Sequence, residues 1–238
     1  MASSHAASLV NVTGFIAGTT LYAMLLVMVL RPRSASQDAR AGVDSLLVLT
    51  AVLGLAWNIE ALISNGLRDF GVPALPRLAQ ALAFASLGLL PAVVVHSVLR
   101  TGLSRLTSPA ALAQVVIAYA LGGCAALIQI GSALKGSSIP ATAALRLLTI
   151  GFSALIVPLA IVTRRQPGAR RALWMTSLAV FAVSALHLSQ QEQLQLSWPV
   201  ELIGHHASLP LVLSILCQCK RVFLVEDRQD GRKGRVVS

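Results

Sequence analysis

Residues 10–33 read VNVTGFIAGTTLYAMLLVMVLRPR, an apolar run that stops abruptly on Arg31-Pro32-Arg33. A bilayer's hydrocarbon core takes ~20 apolar residues to cross as a helix, and this run is long enough. A cleaved signal peptide would need a basic region ahead of it, and Met1–Leu9 holds no Lys or Arg. The run is therefore expected to stay as a first membrane helix, halted by its own charges. Working outward, the same pattern recurs at Val43–Ile63, Leu78–Leu99, Ala110–Leu134, Leu145–Thr163, Ala172–Leu188 and Trp198–Cys219, after a first span at Val10–Leu30. None of these runs alternates with a period of two, which argues against a barrel. Without water each span must satisfy its own backbone groups, so helices are required. The expected fold is an all-α membrane protein, a seven-transmembrane-helix bundle.

The net charge of +10 suggests nucleic acid until its placement is read. With the amino terminus outside, Arg31, Arg33, Arg40, Arg100, Arg105, Arg164, Arg165, Arg170 and Arg171 face the cytoplasm. So do Lys220, Arg221, Arg228, Arg232, Lys233 and Arg235. Only Arg68, Arg77, Lys135 and Arg146 of the 19 Lys and Arg remain on the other side. Basic residues gather on the cytoplasmic side of short loops, so the topology expected is N-out, C-in. The excess charge marks topology and an affinity for anionic lipid headgroups rather than for nucleic acid.

One domain is expected over 1–220, because no loop leaves room for a soluble module. The tail, 221–238, is charged, lacks a periodic apolar face and is expected to be disordered. No internal repeat is apparent, which disfavours an inverted-repeat transporter. The three cysteines, Cys124, Cys217 and Cys219, cannot build a disulfide framework. Asn11-Val12-Thr13 matches a glycosylation sequon, but at a membrane boundary it carries little weight. Pro91, Pro158 and Pro210 lie inside spans and free the carbonyls of Leu87, Ala154 and His206. Pro210 stands apart, because its freed carbonyl belongs to one of two adjacent histidines.

Polar residues inside the spans are the candidates for function. Glu201 and His205 are four apart and share a helix face, with Trp198 and Ser208 on the same stripe. His206 turns ~100° away from His205. His187 lies at the outer end of span six, and Glu60 near the outer end of span two with Asn58 half a turn deeper. Glu60, His187 and Glu201 are thus expected in one outer layer, with His205 a turn below and Pro210 as the coupling kink. The loop from Gln190 to Gln195 would cover that layer with amides. Such a layer could tie helices together by hydrogen bonds, bind a small ligand or proton, or hold a metal on His187, Glu201 and His205. Unpaired charge at this depth costs at least ~2.5–3.5 kcal/mol, so these groups should face the bundle interior.

His96 lies one turn before Arg100, at the inner boundary. It suits an interfacial histidine; the rival is axial ligation of haem with His206 or His205, which would make the chain an electron carrier. A bis-histidine haem needs both imidazoles at similar depth, and these are two turns or more apart. Otherwise no cofactor is implied. No Gly-rich phosphate loop, His-Glu-x-x-His or Gly-x-Ser-x-Gly occurs. Lys135, Lys220 and Lys233 all fall outside the spans, which excludes a retinal Schiff base in the bundle.

At Leu89-Leu90-Pro91-Ala92-Val93-Val94-Val95-His96-Ser97 and across Trp198–Leu211 the chain resembles the amino-terminal membrane region of certain bacterial sensor histidine kinases. The resemblance covers the seven-helix region. It implies a multi-pass protein of the bacterial inner membrane that detects a stimulus and passes it on; the stimulus is not named. In such kinases the last helix runs on into a linker and the kinase core. Here the sequence after Cys219 departs to Arg221-Val222-Phe223-Leu224-Val225-Glu226-Asp227-Arg228. No phosphoacceptor helix or ATP lid is present, so an input module without catalysis is expected. A separate cytoplasmic signalling protein and a second copy of the chain are its candidate partners.

Overall fold

Each apolar run that falls among the described residues is helical, and local chemistry sets where the helices end. The computed structural model describes residues 2–30, 44–66, 71, 73, 75–101, 108–163, 169–189, 203 and 206–217. In order these form α1 (Ala2–Leu30), α2 (Ser45–Ala61), α3 (Arg77–Thr101), α4 (Pro109–Leu134), α5 (Thr142–Thr163) and α6 (Ala169–Ser189). A π-helical turn, Leu62–Gly66, extends α2. Residues 209–217 are helical as well, after a turn at Ala207 and Ser208 that immediately precedes Leu209 and Pro210. No strand occurs among the described residues.

Asp44 starts α2, its Oδ1 accepting the Leu46 N–H at 3.1 Å; a side-chain acceptor satisfies one of the N–H groups a helix start leaves over. Pro109 begins α4, where a missing N–H costs nothing. Between α4 and α5 the chain reverses through Gly136, whose φ of 72° suits a residue without Cβ. Two side chains pin this reversal. Gln129 Oε1 accepts the Ala141 N–H at 2.8 Å, and Arg77 Nη1, at the start of α3, donates to the Gly136 carbonyl.

Among the described residues, five helical stretches are long and apolar enough to cross a membrane: Leu9–Leu30, Ser45–Ser64, Arg77–Arg100, Pro109–Leu134 and Thr142–Thr163. A shorter apolar stretch, Trp174–Ala185, lies in α6. The chain is thus a multi-pass helical membrane protein. Leu127, Ile150 and Val157 are each more than 60 % exposed. In water such a surface would be a liability; against lipid it is the expected outside of a bundle.

α3 is the axis of the bundle. It packs against α2, α4, α5 and α6, and 61 % of its apolar stretch is buried against 22 % for α1. Alanines at 79, 81, 83 and 85 keep its surface low for close neighbours. Trp57 of α2 meets Phe84 edge-on, ring centroids 5.2 Å apart. α1 and α2 run antiparallel, since Gly18 lies at Asn58 and Tyr22 at Gly54. The 206–217 segment runs with α1: His206 lies at Asn11 and Gly14, and Leu209 at Gly18.

Candidate functional site

α1 turns Phe15, Gly18, Tyr22 and Leu25 into the bundle, one residue per turn. Two of its glycines and one of α2 are sockets. A Cβ on Gly14 would collide with the His206 ring, one on Gly18 with the Asn58 carboxamide, and one on Gly54 with the Tyr22 ring. Small residues let membrane helices approach closely, and the side chains that enter here are polar or aromatic. The result is a seam joining α1, α2 and the 206–217 segment.

Two hydrogen bonds cross the seam, and a third, within α2, orients a side chain that enters it. His206 Nε2 lies 3.3 Å from Asn11 Oδ1, bonded through the Nε2–H tautomer. The His206 ring also packs on Phe15, centroids 4.6 Å apart at 58°. Asn58 Nδ2 donates to the Gly54 carbonyl at 2.7 Å, which folds its side chain back along α2 and turns Oδ1 toward Gly18. The Tyr22 hydroxyl donates to the Ser208 carbonyl across a long 3.5 Å. That carbonyl also accepts the Val212 N–H at 3.3 Å. Thus the turn before Pro210 is held by α1, at a place where proline denies the His206 carbonyl its helical partner.

Glu60 is buried at the same depth but on another flank of α2. Two residues on from Asn58 it is turned ~200° away, whereas it lies only ~60° from Trp57. Asn58 faces α1 and Trp57 faces α3; Glu60 points along neither direction, and the π-helical turn that follows it packs on α1 and α2. The Glu60 carboxyl has the buried Ser64 hydroxyl, four residues on, beside it.

Of the residues singled out from the sequence, the structure brings His206 into the seam and leaves Glu60 on the opposite flank of α2. Glu201, His205 and the loop from Gln190 to Gln195 lie outside the described residues. His187 lies within α6, its side chain outside them. Among α6 residues, Ala182 and Ala185 pack on Ala207, which places the end of α6 beside His206. Among the described residues no three His, Cys, Asp or Glu side chains gather as a metal site requires.

His96 is in a different region. Its Nδ1 lies 3.2 Å from the Tyr119 hydroxyl, the rings edge to face. It is twelve residues beyond Phe84 along α3, about 18 Å at 1.5 Å per residue. His206 lies on the other side of the Trp57–Phe84 level, near Asn11 and Gly14. The structure does not bring His96 and His206 together as a haem would need.

Asn11, Gly14, Gly18, Tyr22 and Gly54 do not stand out as site residues in the sequence. One signal is present: Gly14-x-x-x-Gly18, the spacing of a close helix approach. No protein-family model, curated protein or solved structure matches the chain.

Proposed function

We propose that this protein is a seven-span membrane input module, N-out and C-in. It detects a small ligand, a metal or a proton in the outer half of the bilayer and relays it along the 206–217 segment. Its output goes to a separate cytoplasmic protein, in the manner implied by the resemblance to the membrane regions of sensor histidine kinases; no catalysis of its own is involved. The observation that carries this reading is the His206–Asn11 contact beside Gly14. It joins the outer end of α1 to a segment that has a turn and a proline just below. Polar contacts inside a membrane bundle contribute modestly, averaging ~0.6 kcal/mol, so a stimulus of ordinary affinity is sufficient to rearrange them. The parallel run of α1 and the 206–217 segment supports opposite sides for the two ends of the chain.

The test is a cysteine pair across the seam, one at Gly18 and one at Leu209, positions that lie together, in a full-length chain lacking native cysteines. Crosslinking in membranes is followed while metals, pH and small polar solutes are varied. A stimulus that changes the crosslinking rate several-fold, and loses that effect in His206→Ala, supports the reading. A rate that no condition alters would leave the seam as a structural tie.

A further inference from the structure

His96 and Tyr119 take no part in the seam and stand on the other side of the Trp57–Phe84 level. Both are half-buried, at the groove between α3 and α4, with His96 Nδ1 3.2 Å from the Tyr119 hydroxyl. A neutral imidazole carries one N–H and a phenol one O–H, and the bond between them uses one of the two. If Tyr119 donates to Nδ1, the Nε2–H is left over. If Nδ1–H donates, the phenol O–H is left over. With either tautomer, then, the pair offers one donor to what lies outside the groove.

Charge at the same place is a second, independent feature. Arg100 is exposed and four residues on from His96, so it shares that face of α3 about 6 Å further along. A helical side chain leans over the turn before it, which brings the guanidinium back toward His96, near enough for the two to interact electrostatically. Neither α3 nor α4 contains an Asp or Glu. Asp44 caps α2, which packs on the Phe84 flank of α3, ~160° around from Arg100. On α4 the surface running on from Tyr119 is apolar and open. Val116 is 59 % exposed and Leu127 71 %, and a Cβ on Gly123 would meet nothing within 4 Å. Since Tyr119 lies at His96 and Gly122 at Leu89, this strip leads away from Arg100 toward the middle of the span.

We infer that the α3–α4 groove binds one anionic phospholipid, its phosphate held by Arg100 and the His96–Tyr119 donor and its acyl chain laid over Gly123 and Leu127. Arg100 ends the apolar stretch of α3, the level at which headgroups meet a span. A guanidinium matches phosphate oxygens two at a time, and basic pockets between membrane helices hold anionic headgroups. Charge complementarity selects the headgroup. A lipid of net charge −1 is neutralised by Arg100, whereas a zwitterionic one brings an ammonium that no carboxylate of α3 or α4 meets. The apolar strip selects a lipid over a free anion, which would gain nothing from Gly123 and Leu127. The site stands apart from the sensing proposal and shares no residue with the seam.

The experiment titrates the purified full-length chain in detergent with phosphatidylglycerol or with phosphatidylethanolamine of the same acyl chains, and native mass spectrometry counts the lipid retained. A phosphatidylglycerol with a photoreactive group in mid-chain then locates it. The chain should retain phosphatidylglycerol at a concentration lower by threefold or more than phosphatidylethanolamine, with crosslinks concentrated in residues 120–127. Arg100→Gln should abolish the preference; Arg100 is exposed at a helix end, so this variant reads binding on a folded chain. Each single change, His96→Phe or Tyr119→Phe, still leaves one donor. The two together remove it and should weaken retention threefold or more, beyond either alone. Equal retention of the two lipids, an Arg100→Gln or double variant that behaves as the wild type, or crosslinks spread evenly over the other helices would overturn the site. Displacement of the lipid by glycerol 3-phosphate at matched concentration would also overturn it, in favour of a free anion.

Discussion

A glycine in a membrane helix matters only through what fills the space above it, and two glycines of this bundle make the contrast testable. Tyr22 occupies the space over Gly54, while nothing lies within 4 Å of a Cβ placed on Gly123. Gly54→Ala should therefore destabilise by about 1–3 kcal/mol, the usual range for overpacking. Gly123→Ala should be neutral or slightly stabilising, because alanine is the better helix former. Reversible unfolding in mixed micelles measures both, and equal effects would show that the Tyr22 socket does not constrain the helices. The His206–Asn11 contact is open to a cycle of single and double alanine variants. Coupling should exceed ~0.5 kcal/mol; additivity within error would mean the pair does not interact. At this scale the sequence is partly legible. His206 stands out as an imidazole in an apolar span and as the residue facing away from His205. Asn11 is visible only as a sequon, because nothing in a linear pattern tells which residue 195 positions later will reach it.

Element boundaries are more readable than element faces. Five of the seven expected apolar runs match described spans, because a membrane helix needs length and little else. α1 begins at Ala2 and α6 at Ala169, earlier than the apolar limits, since helical hydrogen bonding continues past the hydrocarbon edge. The π turn after α2 has no sequence signature. Counting from span ends puts Glu60 in one layer with His187 and Glu201; depth can be counted along a helix, but facing depends on neighbours. Asn58 and Trp57 had first to be assigned to α1 and α3. The α4–α5 reversal gives this scale its prediction. Gln129 is 1 % exposed, and its Oε1 is the acceptor for the Ala141 N–H. Gln129→Leu keeps the bulk but leaves that buried N–H without its acceptor, which should cost about 1–3 kcal/mol. It should also speed proteolysis in the reversal between Lys135 and Ala141. An unchanged unfolding midpoint with unchanged cleavage would show that the bond is dispensable and that Arg77 alone holds the turn.

For the whole molecule the question is which side each end occupies, and two independent arguments bear on it. The first is charge: Arg164, Arg165, Arg170 and Arg171 crowd one short stretch, as Arg31, Arg33 and Arg40 crowd another. Basic residues near span ends are held on the cytoplasmic side. The second is direction. α1 and the 206–217 segment advance together, His206 at Asn11 and Leu209 at Gly18, and two parallel crossings begin on the same side. If α1 starts outside, so does the 206–217 segment, and the tail beyond it enters the cytoplasm. An even number of spans would need these two helices antiparallel. Reporter fusions should therefore be cytoplasmic after residues 35, 105, 168 and 225, and external after 70, 138 and 193. The fusion at 168 is the most discriminating. An external signal there would place four arginines on the wrong side and take α5 and α6 out of the bilayer as crossings. A cytoplasmic signal at 168 with an external one at 193 requires α6 to span, although only Trp174–Ala185 of it is continuously apolar among the described residues.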